Sequence, residues 1–408
     1  MRGMTDTLTI GERVAWYRRR RGMTQEVLAG LVARTVDWLG KVENNRIPVD
    51  RLSVLKSLAE ALDVTVGDLI AEPSLLEWTH DSGRITVPAL RAALMDYRQG
   101  LRRLDHTAAA SAGPQVGDLQ DQVSAVWDAY QQSRYGYVTS RLPSLLAAAQ
   151  AADQGQPGDD GRRARGLLAM TYQAAAMILT KLGETDLAWM AADRGLAAAL
   201  DAEDPVIIGS LFRSVTHSLL SNGRYTEAIR LTHDAADFLR PGLRQASPEY
   251  LSILGTLFLA GAMAGARNED RGTTRGFLTE ADQAAERLGQ DGNHFWTAFG
   301  PTNVAIHRVS TAMELGDVQI AIDLGAKVDA SPLPMERRIR HAIELARAYS
   351  TWNRTDEALA VLLDAEGQAP EQVRLHYISR QLVLGWVRQQ RGKPSPQLAG
   401  LAQRLRVA

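Results

Sequence analysis

The sequence predicts an all-α protein: an N-terminal unit of five short helices, followed by a long stack of helix pairs. Three observations carry this. Apolar residues recur at helical spacing, as Ile10, Val14 and Tyr17 do near the start and Leu52, Leu55, Leu58 and Leu62 do further on. From Asp118 onward no strand-like run is bounded by turns on both sides; Ala- and Leu-rich segments alternate with short breaks. One signature also recurs in that region, a turn residue followed five positions later by Ala: Gly183 with Ala188, Gly223 with Ala228, Gly316 with Ala321, and Asn353 with Ala358.

In the N-terminal unit, the first helix runs over 10–21 and Gly22 ends it. Thr24 is the N-cap of a second helix, TQEVLAGLVA, with Leu28 and Leu31 facing inward. Thr35 caps a third helix that runs to Glu43, and Asn44, Asn45 and Pro48 make the loop after it. Asp50 caps a fourth helix, and TVGDLI is a short fifth. Residues 73–117 read as a connector of turn and linker composition. It holds one amphipathic helix over Val87 to Leu104, with Leu90, Leu94, Tyr97 and Leu101 on its apolar face and Pro88 in its first turn.

A chain of 408 residues suits two or three domains. With no Cys, disulfides, Cys-ligated zinc, iron–sulfur clusters and thiol catalysis are excluded. The start, MRGMTDTLTI, has no apolar run of a signal peptide. The longest apolar stretch, Ile253 to Ala266, is 14 residues, which fits a buried helix better than a membrane span. A cytoplasmic protein without a membrane partner is expected. No P-loop, H-E-x-x-H or G-x-S-x-G motif is present, so no enzyme activity, cofactor or metal is expected. The net charge of −1 hides an asymmetry: residues 1–56 carry eleven Lys and Arg against six Asp and Glu. A basic head on an acidic body suits a chain with one end against a polyanion.

The second and third helices with the tight turn between them have the helix-turn-helix arrangement. The segment from Thr24-Gln25-Glu26 through Leu28-Ala29 and Val42-Glu43-Asn44 to Leu58-Ala59-Glu60-Ala61-Leu62 resembles the phage-repressor-like (XRE-type) DNA-binding family. The resemblance implies a third helix in the major groove of double-stranded DNA, with Val36, Asp37 and Lys41 toward the bases. It also implies Thr24 and Gln25 at a helix start near a phosphate, and Asn44 and Arg46 on the backbone. Thr35 and Trp38 belong to the same surface. Arg18 is expected to pair with Glu43 inside the domain. The sequence departs from the family at Val32-Ala33-Arg34, where the turn usually holds Gly, and at Asp37, Trp38 and Gly40. These departures keep a second reading open, an interaction adaptor whose head no longer binds DNA.

The Gly-or-Asn then Ala signature resembles the tetratricopeptide family, which implies an α-solenoid over 118–408 with a concave inner face. Its marks lie 40, 93 and 37 residues apart, so the wide gap fits two units, with a degenerate repeat in NEDRGTTRGFLTEADQAAERLG. Candidates for the inner face include Tyr172, His294, Phe299 and His341, and above all Arg213, His217, Phe295, Trp296, Asn303, His307 and Arg338. At each of these the ordinary alternative is a core aromatic or a satisfied polar residue. The layout, and the Ala/Arg/Gly-rich composition, resemble actinobacterial and peptide-responsive regulators. That resemblance implies a homodimer of domains 1–72, 73–117 and 118–408, with a peptide or small molecule sensed by the last.

Overall fold

The computed structural model describes residues 8–49, 51–70, 87–96, 114–155, 158–390 and 392–407. Among these residues the chain forms 21 α-helices and no strand, apart from one isolated antiparallel bridge between Gly292 and Phe299.

The head comprises α1 (Ile10–Arg20), α2 (Gln25–Leu31), α3 (Val36–Glu43), α4 (Leu52–Ala61) and α5 (Val66–Ile70). Its caps follow the sequence closely. Thr9 and Glu12 form a reciprocal capping box, Thr24 Oγ1 accepts from the Val27 amide at 3.3 Å, and Thr35 Oγ1 accepts from the Trp38 amide at 3.1 Å. Asp50 lies outside the described residues. The residue before α4 is Arg51, whose side chain makes no cap hydrogen bond. Leu28, Leu39, Leu55, Leu58, Leu62 and Leu69 are each fully buried and form the head's own core. Gly11 lets α1 lie directly against α3: a Cβ there would stand 2.1 Å from the Val42 carbonyl oxygen.

Of the connector, α6 (Val87–Met95) is described, with Leu90 and Leu94 buried against the body; Tyr97 and Leu101 lie outside the described residues.

The body is a run of helix pairs. These are α7 (Val116–Gln131) with α8 (Tyr135–Gly155), α9 (Gly158–Lys181) with α10 (Thr185–Ala202), α11 (Pro205–Ser221) with α12 (Tyr225–Leu239), α13 (Pro248–Arg267) with α14 (Arg271–Leu288), α15 (Pro301–Leu315) with α16 (Val318–Gly325), and α17 (Met335–Thr351) with α18 (Thr355–Gln368). The short α19 (Pro370–Leu375) leads to α20 (Tyr377–Gln389) and α21 (Pro396–Arg404). Asp159 and Asp160 sit in the first turn of α9, where the helix N-terminus favours negative charge.

The recurring signature has a physical basis. Gly183, Gly223, Gly316 and Asn353 all close the first helix of a pair with positive φ, and Ala188, Ala228, Ala321 and Ala358 are each fully buried where the second helix packs back. The structure adds two members without Gly or Ala. Ser133 (φ 60) precedes fully buried Val138, and Glu269 (φ 58) precedes buried Thr274. Glu269 halves the wide gap in the sequence pattern, so NEDRGTTRG is a regular pair turn. The irregular segment is the later one, 289–300.

α13 passes through the middle of the stack. It is long and apolar enough to cross a membrane, but 89% of its most apolar window is buried inside the protein. Gly255 on this helix faces the ring of Phe299, itself fully buried, and a Cβ on Gly255 would lie 1.9 Å from Phe299 Cζ. Gly255→Ala is expected to lower stability by about 3 kcal/mol, the upper part of the range for overpacked cores. Chemical denaturation followed by circular dichroism measures this, and an unchanged midpoint would contradict the packing.

Candidate functional site

The outer surface of the head is built by α2 and α3. Ala33, Arg34, Thr35, Val36 and Asp37 are all exposed, and so is Leu31, at 60%, which helical spacing places inward beside Leu28; Ala29 takes that buried place instead. Ala33 carries the turn between the helices at φ 52, the left-handed conformation that Gly usually supplies. Val36 is 38% exposed. Asp37 pairs with Lys41 one turn on, at 2.7 Å. Trp38 is half-buried against the head core, with the Arg34 guanidinium 5.7 Å from its ring centre. Asn44 is exposed and its Nδ2 donates to the Gly40 carbonyl at 2.7 Å; Arg46 is exposed just beyond. Thr24 is exposed as well, whereas Gln25 turns inward and donates from Nε2 to Glu43 at 2.7 Å.

Beneath this surface Arg18 forms a two-pronged ion pair with Glu43, Nε to Oε1 at 2.5 Å and Nη2 to Oε2 at 2.8 Å. Burial alone would raise the Glu43 carboxyl, but donation from Arg18 and Gln25 outweighs it and holds the group below the usual carboxylate range. Of the other arginines in the run, Arg19 is exposed, Arg20 lies over the Trp16 ring at 5.0 Å, and Arg21 pairs with Asp63.

The opposite side of the head is seated on the body. Arg51 Nε donates to the Glu314 carbonyl at 2.8 Å, and its Nη2 meets Glu269 at 2.9 Å. The Leu52 amide donates to the Glu314 carboxylate at 3.4 Å. The Lys56 ammonium sits 5.0 Å from the Tyr225 ring centre. Gln381 and Gln389 of α20 donate to the Ile70 and Asn45 carbonyls at 3.1 and 3.0 Å.

A second site lies within the body. The structure brings Arg213 and His217 of α11 within electrostatic reach of His307 of α15, whose ring bonds the Asn303 backbone carbonyl at 2.9 Å one turn earlier. Burial, then the charges of Arg213 and Arg337, pushes His217 well below the ordinary histidine range. Burial and Arg337 push His307 down to about 3, so both imidazoles are neutral at pH 7. Phe295 and Trp296 stand apart, in the 289–300 segment with φ near 54 and 52. There Trp296 stacks on Trp127 at 6.1 Å and donates to Asp128 at 2.7 Å. Arg338 points elsewhere and donates to Gln368 at 2.6 Å. Of the wider set, Phe299 is core, Tyr172 accepts from Gln150, and His294 lies 3.3 Å from Glu249.

Sequence reasoning missed the charges that complete this cluster, namely Glu336, Arg337 and Arg340 on α17 and Lys181 at the end of α9. Lys181 pairs with Glu336, whose carboxyl is held down to about 2 although burial opposes this. The spacing of Glu336, Arg340, Glu344 and Arg347 puts four charges on one stripe of α17. Such a stripe reads as a solvated face, and here all four carboxylate or guanidinium groups face protein.

Among the described residues no group of three or more His, Asp and Glu is placed to hold a metal ion.

A helix-turn-helix domain family matches residues 9–72. No curated protein matches the chain. Among solved structures, BtubC (BKLC) from P. vanneervenii is similar at 15% identity and a TM-score of 0.39, covering 68% of this chain and 95% of that one. PlcR from Bacillus thuringiensis, solved in complex with the peptide PapR7 and DNA, is similar at 12% identity and a TM-score of 0.37, covering 86% and 98%. The family match and the geometry agree: residues 9–72 fold as a helix-turn-helix domain, carried on a body of stacked helix pairs.

Proposed function

We propose that the chain is a sequence-specific, DNA-binding transcription regulator. In this reading α3 enters the major groove, with Val36, Asp37, Trp38 and Lys41 toward base edges. Thr24, Thr35, Asn44 and Arg46 hold phosphates, and Gln25 acts from beneath by fixing Glu43. The domain division is 1–72, 73–117 and 118–408, two copies act together, and the body takes a peptide or small-molecule effector. The observation that supports the reading best is the orientation of the head: its α4 side is in contact with the body, while the α2–α3 turn and the start of α3 remain exposed.

A second reading, an interaction adaptor, is favoured by Asp37, whose side chain is 73% exposed on the reading face and neutralises Lys41 there. Salt separates the two. Genomic DNA selection with purified protein, followed by gel shifts of the best fragment between 50 and 200 mM salt, is expected to show affinity falling by about 10³-fold or more, as several phosphate contacts require. Lys41→Ala with Arg46→Ala is expected to weaken binding at least tenfold with the fold intact. Weak binding without sequence preference or salt slope would favour the adaptor.

A further inference from the structure

The cluster between α11, α15 and α17 is unbalanced in charge. Lys181 has Glu336, and Arg340 has Glu344 at 2.8 Å. Arg337 has only Glu336, at 3.9 Å. Arg213 is 5% exposed, its Nε has no hydrogen-bond partner, and no carboxylate pairs with it among the described residues. Burial and the neighbouring Arg337 lower Arg213 only to about 10, so it remains charged at neutral pH. A buried guanidinium without a carboxylate is costly and rarely kept for stability.

A second, independent observation lies on α15, one turn before His307. Asn303 is fully buried, and both its amide nitrogen and its amide oxygen lack partners. The Tyr135 hydroxyl, also buried, carries no charge because burial raises it well above its ordinary range. Buried amides are normally satisfied on both sides. The cluster therefore offers two guanidinium groups that call for an oxyanion and, one turn before His307 on α15, an amide that calls for both an acceptor and a donor.

We propose that this cluster binds a small organic acid through Arg213 and Arg337, with Asn303 reading a hydroxyl or amide next to the ligand's carboxylate or phosphate. A guanidinium matches both oxyanions in geometry. The inference deepens the effector reading and rests on it only for what occupancy does to DNA affinity.

The test uses the full chain without DNA. Inorganic phosphate, malate and N-acetylalanine are titrated at constant ionic strength against potassium chloride, with thermal melting and calorimetry as readouts. Phosphate reports the oxyanion alone, malate adds a hydroxyl, and N-acetylalanine adds an amide. A saturable rise in melting temperature is expected with at least one probe. Arg213→Met and Arg337→Gln are each expected to weaken that binding more than tenfold, whereas Arg338→Met, one residue along and bonded to Gln368, leaves it unchanged. Without ligand, Arg213→Met is expected to melt at or above the parent temperature, because an uncompensated buried charge has gone. No saturable response to any probe, or an equal response in Arg213→Met and Arg337→Gln, overturns the site. Binding that leaves gel-shift affinity unmoved keeps the site and removes the effector reading.

Discussion

Arg347→Met is expected to cost about 3–5 kcal/mol of stability, the range for breaking a buried ion pair from one side. Arg347 is fully buried, and its Nη1 lies 3.2 Å from both Glu314 Oε1 and Glu344 Oε2, which are themselves 2% and 1% exposed. Removing the guanidinium leaves the buried Glu314 carboxylate without its nearest cation, while Glu344 keeps Arg340 at 2.8 Å. Arg267 approaches Glu314 only to 3.9 Å and does not replace it. Glu314 also receives Arg51 and Leu52 of the head, so the loss reaches the seat of the head on the body. Urea unfolding should show the midpoint fall. Adding Glu314→Gln should restore most of it, because Glu344 keeps Arg340, and failure of that rescue would mean the packing of the side chain, rather than its charge, holds the pairs together.

Glu43→Ala is expected to cost a similar amount, about 3–5 kcal/mol, but confined to the head. It strands the Arg18 guanidinium, 8% exposed, and the Gln25 amide, and it frees the C-terminal end of α3 while Thr35 still caps the other. DNA affinity should fall without any DNA-facing group having changed. Arg18→Met with Glu43→Leu removes both charges together and should recover the fold, and with it binding, because no unpaired ion remains. If the double variant folds as the parent does yet stays inactive in gel shifts, Arg18 or Glu43 takes part in DNA recognition directly.

The head was readable in the sequence because its signals are local. Thr24 and Thr35 are caps, Gly22 ends a helix at φ 66, and Leu28, Leu39 and Leu58 fall at helical spacing on the inner side. The body was readable where the pair turn used Gly or Asn and the buried contact used Ala. It was hidden where Ser133 and Glu269 took the left-handed position and Val138 and Thr274 took the buried one, because left-handed geometry at these residues has no residue-type signature. The inner cluster was half legible. Asn303 and His307 share a helix face by spacing alone, and Arg213 was found with His217. Arg337 was missed in favour of Arg338 because a run of charges on α17 has no periodic cue for which guanidinium turns inward. That choice is made by Gln368, 30 residues further along the chain, which holds Arg338, and by the elements packed around α17, such as Lys181 against Glu336.

The seating of the head also changes what kind of object the repeat array is. A linear stack holds together through neighbours only and can fray from either end. Here residues 45–70 reach the pair turns near Gly223, Glu269 and Gly316 and then α20, across sequence separations of 263 residues at Arg51–Glu314 and 344 at Asn45–Gln389. The chain is thereby closed into a loop, with the N-terminal unit as its clasp. Fraying of the C-terminal pairs must first release that clasp, which raises cooperativity. Contacts so distant in sequence also raise contact order and slow the final folding step. On the ribosome the head, with a core of its own, is complete before the body to which it is fastened.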